Sequence, residues 1–221
     1  MTTTIFHVVF WVAAATGVYL AQSGAEQEIY ACFKGLPIAL LIMYSASAVR
    51  AGDKSGLRFC VLIGLLLSMI ADLVIMRSFL GGLVYFLIAH VMYIAGIGIG
   101  SAPKPHIAAA FAPAFIYLIV MISILSPRVG ADMRAPVIVY SAIITTMLGL
   151  ATVRAFVTEK SDYSRLFWIG ALLFVISDST IAANRWLVKD MQYDSLIIMS
   201  TYYAGQYFIC LGAKKQAHLS T

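Results

Sequence analysis

Two aspartates sit in apolar stretches on nearly the same nine-residue phrase, Gly64-Leu-Leu-Leu-Ser-Met-Ile-Ala-Asp72 and Gly170-Ala-Leu-Leu-Phe-Val-Ile-Ser-Asp178. A carboxylate held in hydrocarbon costs roughly 2.5–3.5 kcal/mol on insertion scales, so such a residue faces a bundle interior and is kept for a purpose. Two of them in repeated contexts point to one shared polar site, with both side chains converging on an enclosed cavity. Paired carboxyls in unlike environments can divide acid and base roles, because one keeps its proton while the other stays ionised. The same pair could instead bind a coupling proton or sodium ion in a carrier.

Helical spacing nominates the residues that share this site, since positions three, four and seven apart lie on one face. Ser68 lies one turn before Asp72. His90 and Tyr93 share a face, as do Tyr202 with Gln206 and Tyr203 with Gln206. Arg185 lies two turns beyond Asp178, toward an end where Lys34 and Arg77 are also expected. The expected picture is a cavity in the outer half of the bundle, with acids deep, aromatic, His and Gln groups around them, and basic residues at the rim. Simpler roles compete with each assignment: His90 as a helix-to-helix hydrogen-bond partner, Tyr202, Tyr203 and Tyr207 as an interfacial belt, and Lys34, Arg77 and Arg185 as snorkelling anchors.

The elements that must position these residues are membrane spans. Of 221 residues, 62% are hydrophobic and 11% charged, far below the roughly 25% charge of soluble domains. A bilayer core takes about 20 helical residues to cross, and charged or Pro/Gly-rich breaks recur at about that interval. The sequence therefore predicts an all-α, polytopic membrane helical bundle in a single domain over residues 1–221. Its eight transmembrane helices fall near 5–22, 36–50, 58–76, 80–100, 106–125, 136–157, 165–186 and 195–212. A seven-span division is the alternative, because the second stretch is short and the eighth carries several polar residues.

The two phrases are offset by 106 positions and match at Gly64/Gly170, Leu66/Leu172, Leu67/Leu173, Ile70/Ile176, Asp72/Asp178 and Ile75/Ile181. They fall on the third and seventh spans, so an even number of helices separates them, as in a parallel four-helix internal repeat.

Charge and composition narrow the function classes. Placing the N-terminus inside puts Arg50, Lys54, Arg58, Lys104, Arg154, Lys160, Arg165, Lys214 and Lys215 on the cytoplasmic side. Lys34, Arg77, Arg128, Arg134, Arg185 and Lys189 then lie outside, an excess that favours both termini in the cytoplasm. No basic run or basic helix exists, so the net charge of +5 marks topology and headgroup anchoring rather than nucleic-acid binding. The first segment lacks a basic n-region and is expected to be a retained helix. Cys32, Cys60 and Cys210 show no CxxC spacing, and His7, His90, His106 and His218 form no pair at helical spacing. A disulfide framework and a zinc hydrolase site are therefore not expected. An aspartyl protease reading lacks a GxGD phrase.

At these residues the chain resembles the lysoplasmalogenase-like integral membrane family, also called YhhN-type proteins. The likeness is carried by Lys34-Gly-Leu-Pro37, Ser68-Met-Ile-Ala-Asp72, Phe79-Leu-Gly-Gly, Ala89-His90-Val-Met-Tyr93, Ser177-Asp178 and Tyr202-Tyr-Ala-Gly-Gln206. The resemblance implies hydrolysis of the vinyl ether of a lysoplasmalogen, releasing a fatty aldehyde and a glycerophosphoethanolamine or glycerophosphocholine. It implies catalysis by Asp72 and Asp178, with Lys34, Ser68, His90, Tyr93, Ser177, Arg185, Tyr202, Tyr203 and Gln206 binding substrate or supporting the acids. No metal or cofactor is implied. The expected partners are a lysophospholipid substrate and the lipid bilayer, with no protein partner indicated, and the expected setting is a bacterial inner (cytoplasmic) membrane.

Overall fold

The computed structural model describes residues 3–47, 56–98, 106–188 and 190–219. The expectations for Arg50, Lys54, Lys104 and Lys189, and the ends of the second and fourth predicted spans, lie outside the described residues. Eight α-helices follow one another: α1 (Thr3–Ser23), α2 (Gln27–Ala46), α3 (Leu57–Ile75), α4 (Phe79–Ile97), α5 (Ile107–Leu125), α6 (Ala131–Val153), α7 (Asp162–Trp186) and α8 (Asp194–Leu219). A π-helical turn, Arg154–Thr158, extends α6. Each of the eight contains a window long and apolar enough to cross a membrane, and the chain is an integral membrane protein.

The main departure from the predicted spans is at α2, which begins at Gln27 rather than near residue 36. Gln27, Glu28 and Lys34 interrupt the apolar pattern, yet Glu28 sits in the first turn, where a negative charge suits the helix dipole. Lys34 is buried inside the helix because another helix supplies its counter-charge. Pro37, one turn further on, lacks the N–H that would reach back to the Phe33 carbonyl. In that loosened turn the carbonyl of Lys34 accepts a hydrogen bond from the Tyr203 hydroxyl at 3.1 Å. The α6 stretch is also longer than predicted, beginning at Ala131 and running through Pro136 in its second turn, which lacks the N–H that would reach back to the Asp132 carbonyl.

Several helix termini around the acids are closed by the chain's own side chains. Ser161 and Ser164 form a reciprocal capping box at the start of α7. Ser78 caps α4, accepting from the Gly81 amide at 3.1 Å. Arg154 donates to the carbonyl of Ile97 at the end of α4 and pairs with Glu159 at 2.7 Å, fastening α6 to α4. Asn184 and Asp194 join across the α7–α8 turn at 2.5 Å.

Neighbouring helices pair as α1 with α2, α3 with α4, α5 with α6 and α7 with α8. Close approach in two of these pairs depends on the repeated glycines. A Cβ on Gly64 would fall 2.1 Å from the Tyr93 ring of α4, and one on Gly170 would fall 2.7 Å from the Gly205 carbonyl of α8. Helix α8 packs against α1, α2, α3 and α7, while α6 packs against α4, α5 and α7. Helix α5 is the most peripheral, with 6% of its apolar window buried. The core is continuous through Phe10, Leu41, Leu65, Tyr93, Phe174 and Tyr203.

Candidate active site

Asp72 is buried on α3 at 2% exposure and is held from two other helices. Lys34 of α2 places its Nζ 3.3 Å from Oδ1, and the Tyr202 hydroxyl of α8 donates to Oδ2 at 2.6 Å. A buried carboxylate needs such compensation, because desolvation otherwise exceeds any Coulombic gain. Tyr203, beside Tyr202, fixes the backbone from which Lys34 projects. The Tyr93 hydroxyl donates to Gln206 Oε1 at 2.6 Å, and Ser68 Oγ stands 3.4 Å from the Tyr93 oxygen. Lys34, Ser68, Tyr93, Tyr202, Tyr203 and Gln206 thus gather around Asp72 or on the helices that enclose it. Lys34 is not at the rim, where its charge alone placed it; it belongs to the acid.

Asp178 on α7 has different surroundings. It is half-buried and lines a cavity of about 60 Å³ with Phe86, Tyr140, Thr145, Val175 and Ser179 among its neighbours. The Tyr140 hydroxyl of α6 donates to Asp178 Oδ2. Among the described residues, no Lys or Arg pairs with this carboxyl. Asp72 is not among the residues lining the cavity, in contrast to the expectation that both acids open onto one space. Its faces are taken up by Lys34 and Tyr202, and Phe86, whose ring meets Tyr202 at 5.8 Å, forms part of the cavity wall.

The two acids are connected through a chain of edge-on aromatic contacts. Tyr202 meets Phe174 at 5.4 Å, Phe174 meets His90 at 4.6 Å, and His90 meets Tyr140 at 5.6 Å between ring centres. His90 is fully buried, and its Nδ1 lies 2.6 Å from the Phe86 carbonyl. Because a carbonyl only accepts, Nδ1 carries the proton in that bond. Nε2 is buried without a partner, as are Thr145 Oγ1 in the cavity wall and Gln206 Nε2. Buried polar groups are normally paired, so these atoms mark where the interior can engage a polar guest.

Two expected site residues are elsewhere. Ser177 donates to the Ile198 carbonyl of α8 at 3.1 Å and fastens those helices together. Arg185 is exposed, its guanidinium 4.0 Å from the Phe79 ring centre and 5.7 Å from that of Trp186. It lies seven residues from Asp178, about 10 Å along the helix axis. Tyr140, Thr145, Tyr117 and Ser179 were not expected, and no spacing signal in the sequence joins them to Asp178. Among the described residues, no three His, Cys, Asp or Glu side chains gather as metal ligands.

The fold and these partners define a class: an eight-span helical membrane protein with one charge-paired and one cavity-facing carboxyl in its interior. The profile of the YhhN family matches residues 29–213, which include every candidate residue from Lys34 to Gln206, and the chain belongs to that family. It is similar to lysoplasmalogenase TMEM86B of Sus scrofa, with 30% identity over 192 residues, covering 86% of this chain and 77% of the relative. It is also similar to lysoplasmalogenase TMEM86A of Bos taurus, with 30% identity over 221 residues and 90% and 85% coverage. Lysoplasmalogenase TMEM86B of Rattus norvegicus is 27% identical over 197 residues, covering 87% and 76%. No solved structure matches the chain.

Proposed function

We propose that this protein is a membrane-embedded hydrolase that cleaves the vinyl ether of lysoplasmalogens, with Asp178 as proton donor and Asp72 as the charged group of the second cluster. The reading rests above all on the unequal environments of the two acids, and the names of the relatives supply its substrate. Asp72 has a cation and a phenol on its oxygens, the pairing an ionised carboxylate requires. Asp178 has a phenol, a cavity and no cationic partner among the described residues, which suits a carboxyl that carries and delivers a proton.

The chemistry needs one acid and one base. A proton delivered to the alkene carbon beta to the ether oxygen gives an oxocarbenium ion. Water adds to the other carbon and loses a proton, forming a hemiacetal. The hemiacetal then collapses to the aldehyde, its hydroxyl proton passing to the departing glycerol oxygen, so one water is consumed in all. Asp178 is the donor in the first step and takes the proton released by water in the second. Carboxyl pairs serve the same oxocarbenium-like transition state in glycosidases. Thr145 Oγ1, buried and unpaired in the cavity wall, is the group free to hold the water. The Lys34–Asp72 pair keeps a fixed dipole behind the aromatic chain, where charge develops during protonation.

A membrane setting suits the substrate, because the hydrocarbon chain stays in lipid while the phosphate remains near the surface. The exposure of Arg185 at the end of α7, on the same helix as Asp178, supports a contact with that phosphate. With the basic residues distributed as above, the site opens toward the outer face of a bacterial inner membrane and both termini are cytoplasmic. The test is to incubate purified protein in detergent with a lysoplasmalogen and follow free aldehyde. Stoichiometric aldehyde and glycerophospho product, unchanged by chelator, is the expected result; no aldehyde from folded protein would exclude the reading.

A further inference from the structure

Resting on that reading, we infer that the groove between α5 and α7 is the binding site for the substrate's single hydrocarbon chain and its lateral route from the bilayer to Asp178. The cavity beside Asp178, at about 60 Å³, holds a few waters and not a lipid. A second, larger space of about 830 Å³ lies along the adjacent face of α7, within the range of small-molecule pockets. Pro113, Ala114 and Tyr117 of α5 form one of its walls, while Trp168, Leu172 and Ile176 are among those on the α7 side. Leu148 and Thr152 of α6 also line it.

Three features fit this groove to a hydrocarbon chain. Its α7 wall runs from Trp168 to Ala183, about 22 Å along a helix, longer than the roughly 15 Å hydrocarbon depth of one leaflet. Its polar groups are already satisfied: Trp168 Nε1 donates to Thr152 Oγ1 at 3.1 Å, and the hydroxyls of Thr152 and Thr180 donate back to carbonyls of their own helices. The surface left to the groove is apolar. It is also contiguous with the acid cavity, since Tyr117, Val175 and Ser179 line both spaces.

Tyr117, Val175 and Ser179 form the boundary between the two spaces, and an interhelical hydrogen bond from Tyr117 to Ser179 crosses it. Ser179 spends its proton on the Val175 carbonyl, so the Tyr117 hydroxyl is the donor to Ser179 Oγ. Helix α5, the least enclosed of the eight, carries Tyr117. Outward displacement of α5 around Tyr117 breaks this bond and joins groove to cavity, while Leu125 at the end of α5 stays packed against Val137 of α6. A chain in the groove then presents its vinyl ether beside Asp178.

The experiment uses the full-length protein in bilayers and a non-hydrolysable 1-O-alkyl lysophosphoethanolamine carrying a photoactivatable diazirine at its chain end. Labelling should concentrate on α5 and α7 peptides and be competed by the unlabelled alkyl lysolipid. Leu172→Trp and Ile176→Trp, which fill the groove, should each cut that labelling at least fivefold. The same variants should raise KM at least tenfold for long-chain vinyl-ether substrates while leaving a short-chain substrate unaffected. Ile70→Trp, the equivalent lipid-facing position in the other repeat, is the control and should change neither. Label spread evenly over the outer helices, or groove variants no different from Ile70→Trp, overturns the groove. Aldehyde release with label elsewhere defeats the groove and keeps the activity. Competed label in the groove without aldehyde release keeps the chain site and defeats the activity.

Discussion

Lys34 separates this account from one in which basic residues only anchor the protein or greet a phosphate. Its ammonium is 3.3 Å from Asp72, and both side chains are buried. At an effective dielectric of about 20, Coulomb's law gives about 5 kcal/mol for a pair at that distance, before any desolvation is counted. Removing one partner of a buried pair typically costs about 3–5 kcal/mol, because the other charge is left uncompensated. Lys34→Met should therefore lower the thermal midpoint in detergent by on the order of 10 °C, by the scaling of soluble domains of this length. It should lower kcat by about 10²-fold or more, since the fixed charge at Asp72 is held only with its partner present. The double variant Lys34→Met/Asp72→Asn removes both charges and should regain most of the stability while remaining inactive. Thermal melts and aldehyde-release kinetics on the three proteins give the answer. A Lys34→Met protein of native stability whose only defect is a raised KM would refute the reasoning and return Lys34 to phosphate binding.

Other outcomes follow from the same contacts. Tyr140→Phe removes the donor to Asp178 without altering cavity shape, and kcat should fall about 10-fold or more with little change in KM, read by steady-state kinetics. Arg185→Gln should raise KM for phosphate-bearing substrates and leave kcat intact, since a contact made equally in ground and transition states contributes uniform binding. Gly64→Ala places a methyl group in the Tyr93 ring and should cost about 1–3 kcal/mol, measured as a lowered thermal midpoint. Gly35→Ala, where a Cβ meets nothing within 4 Å, should show no such loss.

Hydrophobic patterning carried the fold, and its failures have definite causes. Eight spans were legible because charges interrupt the chain at membrane-length intervals. The start of α2 was hidden by Gln27, Glu28 and Lys34, whose burial depends on Asp72 of another helix and so leaves no local signal. Ser177 entered with Asp178 as one motif of the family resemblance, yet successive helical residues point about 100° apart, so one faces α8 and the other α6. Tyr202 and Gln206, put on one face by their spacing, are both buried on α8. Tyr140 and Tyr117 were missed because a single tyrosine in an apolar span looks the same whether it meets lipid, a helix or a carboxyl. What spacing alone could not supply was the division of the acids into a paired and an unpaired member.

That division is tested most directly by turnover of Asp72→Asn and Asp178→Asn against wild type, in the same vesicles and with folding verified. Because positioned acid–base groups contribute roughly 10²–10⁴-fold and preorganised charges about 10²–10³-fold, each variant should lose at least about two orders of magnitude in kcat while substrate binding persists. Asp178→Asn, which removes the proton donor itself, should show the larger loss. A rate near wild type in Asp178→Asn would contradict the central claim.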